Sequence, residues 1–247
     1  MSTEPESPAE PADEFASLTE AAAELDLSPS TIPRTKRRRV ALGGGRHLSM
    51  IRWGDAEPEI VFLHGGAQNA HTWDLVALGL GRPALAIDLP GHGHSSWRED
   101  RDYGPARNAE SVAVAIEQLA PGARGIVGMS LGGLTTIRLA ATRPDLVRRA
   151  VLVDVTPGSA DAVAAMPPAQ RGAVALAGGP RTFASLEEMV DAAVKASPRR
   201  PPSAVRRREL LATRNFSTSC APAWRRFGSF TIFPTTVTCV SNIALPF

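Results

Sequence analysis

The chain has 247 residues, 43% hydrophobic and 21% charged, with a formal net charge of +2. This is an ordinary globular composition, long enough for one α/β domain with a sizeable core, and its charge is too small to point to nucleic acid or an acidic partner. Cys220 and Cys239 are the only cysteines, which builds neither a disulfide framework nor a zinc site of the usual spacing and points to a reducing compartment.

The first 33 residues are rich in Glu, Pro, Ser and Ala and contain no Lys or Arg. They open acidic where a secretory signal would be basic and then apolar, and no run in the chain approaches the ~20 apolar residues that cross a bilayer. A cytoplasmic protein without membrane attachment is expected. With only a short apolar patch from Leu18 to Leu27, residues 1–33 read as a flexible acidic arm or one weak helix. Lys36-Arg37-Arg38-Arg39 leads straight into Val40-Ala41-Leu42, which favours a solvated first strand over a nucleic-acid or anchor patch. Arm and basic run carry opposite charge and are candidates to pair.

Arg46 to Trp53 alternates as a second strand, with a hairpin turn at the glycines 43 to 45 before it. Glu59-Ile-Val-Phe-Leu63 is nearly continuously apolar, as a strand buried on both faces should be, and ends in His64-Gly65-Gly66-Ala67. A helix follows from Ala70, with Trp73 on its inner side. Pro83 to Asp88 is another buried strand, closing with the tight loop Leu89-Pro-Gly-His-Gly-His-Ser-Ser96. Ala109 to Leu119 has helical spacing.

Gly125-Ile-Val-Gly-Met-Ser130-Leu-Gly-Gly133 then runs from an apolar strand into a helical pattern that Pro144 stops after about Thr142. Gly-x-Ser-x-Gly between strand and helix is what a nucleophile elbow requires, with Ser130 as the candidate nucleophile. The glycines at 128 and 132 belong there because the turn packs strand and helix too closely for side chains. Arg149 to Asp154 is one more strand. Strands alternating with helices at this spacing imply βαβ units and a mainly parallel sheet with helices on both faces.

After Gly158 the pattern changes. Residues 159–214 are rich in Ala and Arg and broken by Pro167-Pro168, Gly178-Gly179-Pro180 and Pro201-Pro202, which reads as a helical lid inserted after a core spanning 34–158. Its arginines are expected on a solvated face. From Leu210 to Phe247 there is no Asp, Glu or His, yet both cysteines and five of the eight phenylalanines lie there. Residues 215–247 therefore read as an atypical tail, such as a frameshift or truncated product would give, although Thr235-Thr-Val-Thr-Cys-Val240 has strand propensity.

His64-Gly65-Gly66, Asp88-Leu89-Pro90-Gly91-His92-Gly93-His94-Ser95, Gly128-Met129-Ser130-Leu131-Gly132 and Asp154, in this order, resemble the α/β-hydrolase fold over roughly Arg38 to Pro157. The resemblance implies an oxyanion hole of two backbone N–H groups, which fall on Leu131 and Gly66. It implies no cofactor and no metal, and a small-molecule ester or related carbonyl substrate. Serine at the elbow separates the chain from the dehalogenases and epoxide hydrolases of the fold, which resemble it but carry Asp there. The family's chain order is serine, acid, histidine. Asp154 fits the acid, although a strand-end aspartate also caps turns.

Histidine breaks the pattern. His47, His64, His71, His92 and His94 all precede Ser130, and the family's last strand, helix and histidine loop have no counterpart. His92 and His94 sit on a loop at the right sheet edge, but bonding to backbone is the simpler reading of both. His64 reads as a brace of the oxyanion turn, and Asp88 as a brace of its loop. The expectation is a serine-dependent hydrolase impaired for want of a base, or alternatively a catalytically silent member that serves at most as a binding module. A sheet edge left uncovered by a missing last strand would favour self-association.

Overall fold

Basic residues lead into apolar ones from Thr35 to Gly43 (β1), and the chain turns back through Gly44 and Gly45, at φ 57° and 72°, into Arg46–Trp53 (β2). The computed structural model describes residues 14–155, positions 191, 194 and 195, and 236–240. β1 is an edge strand, and Arg38 and Arg39 are exposed on it. Charge on an edge discourages pairing with other chains.

The remaining strands are Ile60–Leu63 (β3), Ala84–Asp88 (β4), Gly125–Met129 (β5), Arg149–Val153 (β6) and Thr236–Val240 (β7). They form one sheet in the order β1-β2-β4-β3-β5-β6-β7, antiparallel from β1 to β4 and parallel from β4 to β7. This is the mainly parallel α/β sheet that the alternation of elements predicts.

The sheet does not stop at β6, where the sequence reading ends it. Thr236–Val240 runs parallel to β6, with Arg149 opposite Thr236 and Val153 opposite Val240. Its Thr-Val-Thr-Cys-Val composition is strongly β-forming, and it covers the β6 edge expected to lie open. The lid expected at 159–214 and the rest of the 215–247 tail lie outside the described residues.

Alternate residues of the central strands feed two cores, because successive side chains on a strand point to opposite faces. Val61, Leu63, Leu85 and Ile87 pack with the helices Pro105–Leu119 (α3) and Leu131–Thr142 (α4). Phe62, Ala84 and Ala86 face the other way, against the helices Leu18–Ala23 (α1) and Asp74–Leu80 (α2). Phe62 and Trp73 stack there with ring centroids 5.0 Å apart. Each fully buried Phe, Leu or Ile of this kind contributes roughly 1.5–3 kcal/mol.

Two local boundaries differ from the sequence pattern. The helix expected from Ala70 begins as a tighter 3₁₀ turn over Ala70–Trp73 before α2, and α3 starts at Pro105 rather than Ala109. Proline fits the first helical turn, where no N–H partner is needed. Of the two readings of residues 1–33, a flexible arm or one weak helix, the described part takes the second: α1 forms over Leu18–Ala23, and from Glu14 onward the arm is packed on the domain with Leu18, Ala21 and Ala22 buried. Apolar residues of the arm, Leu18 and Ala21 foremost, and the charged contacts of Glu14 described below hold it there.

Candidate active site

The centre of the site is the turn from β5 into α4. Ser130 occupies it with φ 47° and ψ −112°, far from the regions that suit a residue with a side chain. Its amide donates to the Val153 carbonyl at 2.9 Å, and its own carbonyl accepts from the Leu134 amide at 2.9 Å. Neighbouring strand and helix thus fix the turn from both sides.

Both flanking glycines are sterically required. A Cβ on Gly128 would lie 2.5 Å from the Gly132 carbonyl oxygen and from Thr136 Oγ1, and one on Gly132 would run into the Leu63 carbonyl. The second approach matters most for the site, since the Gly132 amide also donates to the His64 carbonyl at 3.0 Å. The first turn of α4 is therefore stitched to the exit of β3, where Gly65 and Gly66 follow. Leu131, at the first position of α4, has no acceptor within its own helix. Among the described residues the amides of both Leu131 and Gly66 have no hydrogen-bond partner.

Asp154 directly follows Val153, whose carbonyl holds Ser130, and it is exposed with φ 58°. β6 thereby brings Asp154 to the same sheet edge as Ser130.

The five histidines are engaged elsewhere. His64 is fully buried, with Nδ1 2.7 Å from the Gly65 carbonyl and Nε2 accepting from the Leu89 amide at 2.9 Å. Burial and the neighbouring His92 push its pKa down to about 3. His92 Nδ1 lies 3.0 Å from the Pro90 carbonyl, and its Nε2 accepts from the Ala67 amide at 3.4 Å. His47 spans Ser96 Oγ at 2.9 Å and the His94 carbonyl at 3.0 Å. His94 Nε2 lies 3.9 Å from Glu14 Oε2, and its backbone amide donates to Asp88 at 3.1 Å. Among the described residues, no imidazole is hydrogen-bonded to Ser130.

Asp88 is a brace, buried completely and saturated with donors. Its Oδ1 accepts from the Ala70 amide at 2.7 Å, and its Oδ2 from Arg37 Nη1 at 2.7 Å and the His94 amide at 3.1 Å. Behind it lies a charged cluster that sequence reading did not assemble. Arg37 also holds Glu14, and Glu14 Oε2 lies 3.5 Å from His71 Nε2, while His71 Nδ1 lies 2.8 Å from Asp74. The only sequence signal was the opposite charge of arm and first strand. Gln68, whose Oε1 accepts from the Gly65 amide at 3.2 Å, left no signal at all.

A model of the alpha/beta hydrolase family matches residues 60–239. The chain belongs to the alpha/beta hydrolase family. It is 52% identical over 195 residues to the esterase Rv0045c of Mycobacterium tuberculosis, a match covering 79% of this chain and 63% of that protein. The chain thus spans less than two thirds of that relative's length. A crystal structure of the same esterase superposes with a TM-score of 0.69 at 43% identity, covering 93% of this chain and 79% of the other. A pimeloyl-[acyl-carrier protein] methyl ester esterase of Aeromonas salmonicida is 34% identical over 112 residues, covering 44% of this chain and 42% of that protein. Among the described residues, no helix of this hydrolase-family chain is long and apolar enough to cross a membrane.

Proposed function

We propose that the chain carries an ester-hydrolysing centre in which Ser130 is the nucleophile and the amides of Leu131 and Gly66 form the oxyanion hole. Ser130 Oγ attacks the ester carbonyl carbon, the carbonyl oxygen takes up the negative charge, and the two amides stabilise it. Each such donor contributes on the order of 3 kcal/mol to the transition state. The alkoxide then leaves, and water hydrolyses the acyl-serine. Asp154 is the acid of this reading. The substrate is a small-molecule ester, the chemistry needs no cofactor or metal, and the cytoplasm is the proposed compartment. The observation that carries the reading is the left-handed Ser130 between two glycines whose places no side chain fits.

A second observation favours weak turnover. A serine hydroxyl needs an imidazole to take its proton. No histidine follows Ser130 within these 247 residues, and the rings of the five that precede it face other groups, His94 Nε2 lying 3.9 Å from Glu14 Oε2. The proton released on attack goes to water, and the chain hydrolyses esters slowly. Loss of a triad member leaves roughly 10³–10⁴-fold catalysis over water from the oxyanion hole and binding.

A fluorophosphonate probe and a series of p-nitrophenyl esters test both points. Slow but detectable labelling and hydrolysis, lost in Ser130→Ala, are expected. Rapid turnover would show that another base operates, and labelling that survives Ser130→Ala would overturn the assignment of the nucleophile.

A further inference from the structure

Four amides of the loop leaving β3 and of the 3₁₀ turn after it have identified acceptors. The Gly65 amide donates to Gln68 Oε1 at 3.2 Å, Ala67 to His92 Nε2 at 3.4 Å, Ala70 to Asp88 Oδ1 at 2.7 Å and His71 to Asn69 Oδ1 at 3.1 Å. The Gly66 amide, between two engaged neighbours, has no partner among the described residues. Its direction is set by the peptides on either side. One of those is held locally by Gln68, and the other by a side chain from a different loop.

That side chain is His92. Its Nδ1 faces the Pro90 carbonyl at 3.0 Å, and a carbonyl only accepts, so Nδ1 carries the proton. Nε2 then has a free lone pair, which is the acceptor for the Ala67 N–H. Ala67 needs such a hold because its φ is 57°, a region that a residue with a Cβ adopts only when its surroundings impose it. The ring is itself fixed, with its centroid 5.1 Å from that of His64, which is clamped between Gly65 and Leu89. The two imidazoles thus tie the β3 exit to the β4 exit.

We propose that His92 is a positioning residue: by holding the Ala67 amide it aims the Gly66 N–H at the oxyanion that forms on attack by Ser130. The inference rests on the assignment of Gly66 and Ser130 above. It gives the loop histidine a role that requires no proton transfer to substrate.

The test uses the full ¹⁵N-labelled chain. In the unmodified protein, His92 should appear as the Nδ1–H tautomer with Nε2 unprotonated, and a proton on Nε2 would overturn the proposal without any variant. His92→Phe should speed exchange of the Ala67 amide about tenfold, and His92→Gln, which keeps an acceptor, should restore most of the protection. Fluorophosphonate labelling of Ser130 should slow about tenfold at saturation in His92→Phe, with half-saturation unchanged within about twofold. Unchanged Ala67 exchange in a well-dispersed His92→Phe spectrum would refute the bond. Faster exchange with an unchanged labelling rate would refute its link to the oxyanion hole. Absent labelling of the unmodified chain, or labelling that persists in Ser130→Ala, would remove the site assignment and this inference together, and the tautomer and exchange readings identify that case separately.

Discussion

Arg37 grips Glu14 side-on, with Nε 2.9 Å from each carboxylate oxygen and Nη2 2.7 Å from Oε2. Its Nη1 meanwhile reaches Asp88 at 2.7 Å and Ser49 Oγ at 2.9 Å. One guanidinium therefore joins the N-terminal arm, β2 and the end of β4. Replacing it with Met would leave the fully buried Asp88 carboxylate with amide donors but no counter-charge, which costs about 3–5 kcal/mol. A drop in thermal midpoint of at least several degrees is expected for Arg37→Met, and calorimetry would show it.

The same cluster gives stability a defined pH window. Burial alone would raise the Glu14 pKa, but hydrogen bonds from His71 and Arg37 outweigh it and hold it at about 2, against an ordinary value of 4.5. Its contribution is present above pH 4.5 and is lost as pH falls toward 2. Burial alone would lower the His71 pKa, but the Asp74 carboxylate and Glu14 outweigh it and raise it from 6.5 to about 9. That contribution is complete below pH 6.5 and is lost as pH rises through 9. The melting temperature should therefore peak between about pH 4.5 and 6.5. Glu14→Gln should flatten the acid limb and His71→Gln the alkaline one. A flat profile across both limbs would contradict the pairing.

At the elbow, stability and chemistry should move in opposite directions. Ser130 holds φ 47° with a side chain, and glycine adopts that conformation without the penalty. Ser130→Gly should raise stability by up to about 1 kcal/mol while abolishing phosphonate labelling. Denaturant melts of the two proteins would decide it.

Gly132→Ala should have the reverse effect on folding. Its Cβ meets the Leu63 carbonyl, which is backbone and cannot swing aside. A loss of about 1–3 kcal/mol is expected, near the upper end because both β3 and α4 must shift. A stability unchanged within experimental error would argue against the close packing of these elements.

If a missing base limits turnover, free imidazole should supply part of it. Hydrolysis of p-nitrophenyl acetate, after subtraction of the solution reaction, should increase with imidazole concentration in the unmodified chain and stay flat in Ser130→Ala. Equal slopes in both would place the reaction away from Ser130.

The elbow and its strands were readable in the sequence because their determinants are local: Gly128 and Gly132 mark a close approach, and short apolar runs mark buried strands. Local signals also placed the hairpin before β2 and the end of α4. What stayed hidden depended on distant partners. Opposite charge made the arm and the basic run candidates to pair, but not which residues meet: Glu14 and Arg37 are 23 residues apart and come together only once the arm has folded back. His92 and Ala67 are 25 apart and belong to adjacent loops of a sheet whose order is not the chain order. β7 shows the same limit, since strand propensity at Thr236–Val240 was visible but its pairing with β6 across more than 80 intervening residues was not.

The packing of α1 bears on how this protein should be trimmed. Leu18 and Ala21 share a cluster with Ile51, Phe62 and Trp73, so a shortened version beginning at the first strand would bare a greasy saddle on the sheet and take one of two carboxylate partners from the guanidinium beside it. A deletion chosen because the leading residues look dispensable on paper would then loosen the floor beneath the loops that frame the serine.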